Sequence, residues 1–214
     1  MTPAETAAAL RDAGLIAIVR GAFSRAQLVT VAEALLEGGV TALEVTLNTP
    51  EALSGIADLR RQLSGRALVG AGTVRTRAQV DDALDAGAAF LIAPGFDAPS
   101  AARARERGHL LVPGVFTASE AQAAAQAGCP LVKLFPADAL GPGYLRALRA
   151  PLDDLGFVPV GGIDVPGLAA YVAAGAAAFG VGGALVSGPG QEPSEITERA
   201  RAFVGALREA RGSG

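Results

Sequence analysis

Of the 18 basic residues in this 214-residue chain, one is a lysine, Lys133, and every other is arginine. It sits in Leu131-Val132-Lys133-Leu134-Phe135-Pro136, an apolar run of strand type. Side chains alternate along a strand, so Leu131, Lys133 and Phe135 share one face, and Val132 and Leu134 the other. A lysine packs poorly against covering helices, which puts Lys133 on the interior face of the sheet. Loss of water there disfavours the ammonium and lowers its pKa towards neutrality. A neutral amine attacks carbonyl carbon and forms a Schiff base, whereas arginine stays protonated. The competing role is a structural ion pair with a buried acid. Arginine is the better residue for that role and is used at all other basic positions, which favours chemistry at Lys133.

A Schiff-base lysine needs a proton shuttle. In Ala42-Leu43-Glu44-Val45-Thr46-Leu47, alternation puts Glu44 and Thr46 opposite the three larger apolar residues, so Glu44 points inward. A carboxylate there transfers protons during dehydration and carbon–carbon cleavage. A salt bridge to Lys133 is its structural alternative, compatible with the first because the pairing tunes both groups. Thr73, in Gly70-Ala71-Gly72-Thr73-Val74, and Arg20, at the end of the first run, fall at strand carboxyl ends and are candidates for binding a substrate carboxylate. Gly161-Gly162 and Gly182-Gly183, at the last two strands, are candidates for gripping phosphate through backbone N–H groups; tight turns are the structural alternative. His109 falls at the opposite end and reads as structural. Cys129 reads as a small buried residue, and Arg103, Arg105 and Arg107 as a solvated helix face.

Eight apolar runs hold these residues: 15–20, 42–47, 67–74, 90–95, 110–116, 131–137, 157–163 and 177–186. Each is nearly continuous in apolar residues, as parallel strands buried on both faces require. Between them lie Ala-rich helical stretches. Ser24/Gln27, Thr76/Gln79 and Thr117/Glu120 have capping-box spacing, Thr49-Pro50 marks another start, and glycines mark the ends. The expectation is an α/β fold, a (β/α)8 TIM barrel in one domain over 1–214, with a first helix near 2–12 and a last near 194–211. An open doubly wound sheet is the alternative. The first turn, Val19-Arg20-Gly21-Ala22-Phe23, lacks the glycine pattern that a dinucleotide site needs.

Composition narrows the function. Net charge is −3 with scattered basic residues, which argues against nucleic acid. One Cys and one His argue against a metal site of several such ligands. The uncharged stretch 165–191 reads as a helix and a buried strand rather than a membrane span, and no signal peptide is expected. A soluble cytoplasmic enzyme follows as the expectation.

Together, Ile16-Ala-Ile-Val-Arg20-Gly21, Leu43-Glu44-Val-Thr-Leu47, Gly70-Ala-Gly-Thr73-Val74, Ala93-Pro-Gly95, Val112-Pro-Gly114, Val132-Lys133-Leu-Phe-Pro136-Ala137 and Gly161-Gly162-Ile163 resemble the 2-keto-3-deoxy-6-phosphogluconate (KDPG) and 4-hydroxy-2-oxoglutarate (KHG) aldolases. The resemblance implies a metal-independent, cofactor-free homotrimer of barrels that splits a phosphorylated keto sugar acid into pyruvate and glyceraldehyde 3-phosphate. By it, Lys133 forms the Schiff base, Glu44 is the acid/base, Thr73 holds the pyruvate carboxylate, and the backbones of Gly161, Gly162, Gly182 and Gly183 hold phosphate. Asn48, where gluconate members carry Arg, together with Arg20 and Val160, is similar to the branch that cleaves the galactonate epimer. Arg20 then takes over the carboxylate. KHG cleavage as main activity, a phosphosugar isomerase or epimerase, and a non-catalytic sugar-phosphate binder remain the alternatives.

Overall fold

A computed structural model describes residues 1–212. Nine parallel strand segments alternate with helices: β1 (Leu15–Val19), β2 (Ala42–Thr46), β3 (Leu68–Gly72), β4 (Phe90–Ile92), β5 (Leu110–Val112), β6 (Gly114–Val115), β7 (Leu131–Leu134), β8 (Gly156–Pro159) and β9 (Phe179–Val181). The helices are α1 (Pro3–Ala13), α2 (Arg25–Glu37), α3 (Ala52–Gln62), α4 (Arg77–Asp85), α5 (Ala98–Glu106), α6 (Ala118–Gln126), α7 (Gly141–Arg149), α8 (Leu168–Ala173) and α9 (Pro193–Gly212). The strands form a curled six-stranded sheet, ordered β5-β4-β3-β2-β1-β9, and a three-stranded sheet, β6-β7-β8. One bridge, Val160 with Gly180, links the ends of β8 and β9.

The segments are shorter than the apolar runs, for identifiable reasons. Pro113 divides the run 110–116 into β5 and β6, because proline has no N–H for the ladder. Its carbonyl still accepts from the Lys133 N–H at 2.8 Å. The run 177–186 ends as a strand at Val181, so Gly182 and Gly183 stand beyond β9 and not within it. There the Gly182 carbonyl accepts from the N–H groups of Leu185 and Val186 at 2.8 and 2.9 Å, which turns the chain away from the sheet.

Two apolar layers flank the strands. Val19, Val45, Val69, Leu91 and Val132 pack outward against Leu28, Leu35, Ile56 and Val80 of the helices. Ile16, Ile18, Phe90, Ile92, Leu110, Val112, Leu131 and Val158 point the other way and meet Leu10 of α1. Gly70 belongs to this inner face because a Cβ there would fall 2.4 Å from the Phe90 ring. Half of the strand side chains thus fill the interior, and Lys133 and Glu44 are on that side of the alternation.

Helix starts follow their side chains. Ser24 and Thr117 form full capping boxes with Gln27 and Glu120. Thr76 caps the Gln79 N–H, but the Gln79 side chain accepts from the Arg75 N–H at 2.7 Å instead of closing the box. Thr49 does not start α3. Its hydroxyl lies 3.1 Å from that of Thr46, and the helix begins two residues past Pro50, after a left-handed Glu51 (φ 52°). The arginine series on α5 is not merely a solvated face: Arg103 and Arg107 both bond Asp81, at 2.9 and 2.7 Å, and clasp α5 to α4. The stretch 165–191 holds α8 and β9. Among the described residues no helix is long and apolar enough to cross a membrane.

Candidate active site

The carboxyl ends of the strands bring together residues distant in sequence. Lys133 lies on β7 between Gly114 of β6 and Val158 of β8, and only 4% of it is exposed. Its ammonium stands 4.9 Å from the centroid of the Phe135 ring, the next residue on the same face. Burial pulls the Lys133 pKa down; the Glu44 charge opposes that and the Arg20 charge reinforces it.

Glu44 is 1% exposed, inside β2. Neither carboxylate oxygen has a hydrogen-bond partner among the described residues. Burial therefore dominates and raises its pKa to about 7, against the opposing pull of the Lys133 and Arg20 charges. Gly72 of β3 makes its room, since a Cβ there would fall 2.6 Å from Glu44 Cδ. Lys133 and Glu44 influence each other through charge across the interior, without a direct hydrogen bond.

Arg20 and Thr73 meet although 53 residues separate them. The Arg20 guanidinium donates to Thr73 Oγ1 at 3.4 Å. Thr73 has φ 61°, a left-handed backbone that costs a non-glycine residue about 1–3 kcal/mol and concentrates at functional sites. Leaving β3 in this conformation turns the hydroxyl towards the end of β1, where Arg20 stands.

A cavity of about 410 Å³ opens beside Lys133. Arg20, Phe135, Gly161, Gly162, Gly182, Gly183 and Ser187 line it, with the apolar Ile18, Val160 and Ile163. The N–H groups of Gly162 and Gly183 donate to nothing among the described residues. Gly161 and Gly162 have φ 98° and 65°, which a side chain would adopt only with strain. Beyond its own chain neighbours, no atom of the described residues lies within 4 Å of where a Cβ on Gly183 would be, so open space and not crowding surrounds that position. Glu44 and Thr73 do not line the cavity. Among the described residues three larger hollows lie elsewhere, one between α2 and α9, one beside His109 and one between α8 and α9, and none contains a lysine or a buried carboxylate.

Phe135 and Ser187 gained no role from sequence. Phe135 was detectable in principle, because i and i+2 on a strand share a face; Ser187 was not, since it follows β9 in a loop whose course the local sequence leaves open. Cys129 is buried, which pushes its thiol up to about 11 and leaves it unreactive. No group of three or more potential metal ligands occurs among the described residues.

A buried amine with a lowered pKa, a buried carboxyl poised near neutrality and a cavity rimmed by free backbone N–H groups are the equipment of a Schiff-base aldolase. The comparisons agree. The family model for KDPG and KHG aldolase matches residues 6–198, and the chain belongs to that family. A probable 2-dehydro-3-deoxy-6-phosphogalactonate aldolase of Rhizobium meliloti (strain 1021) is 39% identical over 90% of both chains. A solved native KDPGal structure superposes with a TM-score of 0.89 at 36% identity, covering 92% of this chain and 96% of that one. A KDPG aldolase from Legionella pneumophila, captured with pyruvate as a covalent carbinolamine, superposes with a TM-score of 0.84 at 31% identity, covering 92% and 97%.

Proposed function

We propose that this enzyme is a class I aldolase that cleaves a 2-keto-3-deoxy-6-phospho sugar acid to pyruvate and glyceraldehyde 3-phosphate. The observation that carries the assignment is the pairing of an amine and a carboxyl, both buried and both shifted towards neutrality, on the interior side of the two parallel sheets. In this reading Lys133 and Glu44 are catalytic. Arg20 and Thr73 bind the pyruvate carboxylate, and Gly161, Gly162, Gly182 and Gly183 bind phosphate. Two features also support closure of the sheets into one eight-stave, single-domain barrel: β5 and β6 are one run interrupted by Pro113, and Val160 bridges to Gly180.

The chemistry runs as follows. The neutral Lys133 amine attacks the C2 ketone, and its proton passes to oxygen to give a carbinolamine. Protonated Glu44 gives a proton to the hydroxyl, which leaves as water, and the iminium forms. The Glu44 carboxylate then takes the C4 hydroxyl proton while the C3–C4 electron pair moves into the iminium, giving an enamine and the free aldehyde. Glu44 returns the proton to C3, and water releases pyruvate from Lys133. A carboxyl with a pKa about 7 serves both as acid and as base near neutral pH.

The galactonate-type epimer ranks first as substrate. Arg20 in contact with Thr73, Asn48 after β2, and the relative named for the galactonate acid support that order. A cytoplasmic homotrimer rests on the family alone and is tested by light scattering.

Borohydride reduction with pyruvate, followed by peptide mapping, tests the assignment. An adduct on Lys133 that is absent in Lys133→Arg is the expected result. No adduct at saturating pyruvate would move a phosphosugar isomerase or a sugar-phosphate binder to the front. Rates with both C4 epimers and with 4-hydroxy-2-oxoglutarate then rank the substrates.

A further inference from the structure

The loop leaving β7 carries a carboxylate that neither the fold nor the proposed chemistry uses. Ala137 is pinned from two sides: its N–H donates to the Val160 carbonyl at 2.8 Å, and its own carbonyl accepts from the Tyr171 hydroxyl at 2.8 Å. Asp138 follows directly, so its backbone cannot swing far. A Cβ built on Gly162 would fall 2.3 Å from Asp138 Cβ and 2.6 Å from Asp138 Oδ2. The carboxylate therefore lies against a glycine that lines the cavity and whose N–H donates to nothing among the described residues. Asp138 is exposed, and among the described residues it makes no hydrogen bond or ion pair. Its charge reaches its surroundings: after burial, it is the second cause that pushes the Tyr171 phenol up.

Backbone N–H groups alone suffice to hold phosphate, but a carboxylate beside them opposes a second anion. Among the described residues, the charged ones lining the cavity are Arg20 and Lys133. The amine is committed to the keto carbon, and Arg20 is held at Thr73. The phosphate end thus offers neutral N–H donors, with the unpaired Asp138 behind them. The carboxylate on the Gly161-Gly162 loop itself, Asp164, is engaged in accepting from the Gly167 N–H at 2.8 Å.

We propose that Asp138 is a specificity-determining residue whose negative charge weakens the hold of the Gly161-Gly162 loop on dianionic phosphate. It thereby limits the advantage of phosphorylated over unphosphorylated 2-keto acids and eases release of the phosphorylated aldehyde. The inference rests on the aldolase assignment above. A phosphate ester carries roughly −1.5 to −2 charges near pH 7. A unit charge about 6 Å away in water-like surroundings then changes its binding about threefold to tenfold, less as salt is added.

The test uses the full-length enzyme with Asp138→Asn, which keeps the shape, and Asp138→Ser, which guards against a folding artefact of either. The kcat/KM ratio for a phosphorylated 2-keto-3-deoxy acid over its unphosphorylated counterpart should rise about threefold to tenfold in both variants. KM should carry the change, inorganic phosphate should inhibit more tightly, and the gain should shrink with added salt. A ratio unchanged within about twofold, or an equal loss on both substrates as a hydroxyl acceptor would produce, overturns the proposal. If pyruvate is trapped on Lys133 and the ratio stays flat, only the Asp138 inference falls; if no pyruvate is trapped on the wild-type enzyme, the aldolase assignment falls and takes this one with it.

Discussion

Glu44→Gln tests the physical core of the site independently of turnover. The carboxyl has an ordinary value of 4.5 in the unfolded chain and about 7 in the native one, because burial without a hydrogen-bond donor penalises the charge. The native state therefore holds a proton that the unfolded state has lost between those two values. Stability contributed by this group is fully present below about pH 4.5 and is lost as pH rises through about 7. Each unit in that window removes about 1.4 kcal/mol, so the full span removes about 3 kcal/mol. Glutamine has nearly the same shape and does not titrate. Any cost of its buried amide is the same at every pH. Urea unfolding of both proteins at pH 5 and pH 8 gives a double difference in which that cost and the remote titrations cancel. Lys133 is the coupled group closest to hand, and its opposing charge is already part of the Glu44 balance. The variant should gain about 2–3 kcal/mol on the wild type from pH 5 to pH 8, while losing cleavage activity at both. A flat difference, within about 0.5 kcal/mol, would mean that Glu44 titrates like an exposed carboxyl. The argument for a neutral acid at the centre of the site would then fail.

Lys133→Met should abolish cleavage, by about 10³-fold or more, and should be more stable than the wild type on the acid side. Its folded pKa is lowered, so the buried ammonium destabilises the native state below that value; urea unfolding at pH 5 checks the sign. Gly72→Ala puts a methyl 2.6 Å from Glu44 Cδ and should cost about 1–3 kcal/mol along with most activity, whereas Gly183→Ala meets nothing within 4 Å and should leave thermal stability unchanged. Thr73→Ala removes the Arg20 partner but keeps the left-handed backbone, so KM for the keto acid should rise about tenfold with a smaller change in kcat.

What could be read from sequence was what depends on alternation and on residue type. Lys133 and Glu44 fall on the interior face because a strand has a period of two, and a one-residue error would have put both against helices. The capping pairs at Ser24 and Thr117 were equally legible, since both partners lie within one turn. Thr49 failed by the same local logic. Its hydroxyl had a competitor in Thr46, inward on β2, and a cap is available only if nothing nearer claims the side chain. Strand ends failed more widely, because they are set by where the ladder is broken: at Pro113, at the left-handed Thr73, and at the turn that begins with Gly182.

The glycines show where local inference stops and why the site is built as it is. Gly70 and Gly72 sit two apart on β3 and resemble half of a phosphate loop, yet each is small for a neighbour on an adjacent strand, the ring of Phe90 and the carboxyl of Glu44. Gly161, Gly162 and Gly183 look the same in sequence and behave oppositely, since the first two have left-handed backbones and the third faces open space. One set lets the interior close around an acid and exclude its solvation; the other keeps backbone donors open at the rim. The catalysis proposed for Lys133 and Glu44 needs both at once. An acid that kept its water would titrate near 4.5 and would be spent as a proton donor at neutral pH, and a sealed rim would leave a correctly tuned amine with no substrate. The Gly72→Ala and Gly183→Ala variants separate these two demands, because the first perturbs the tuning of Glu44 and the second only the rim. A Gly72→Ala enzyme that kept both its stability and its activity would show that the room beside Glu44 is incidental, and that the acid owes its neutrality to something other than close packing.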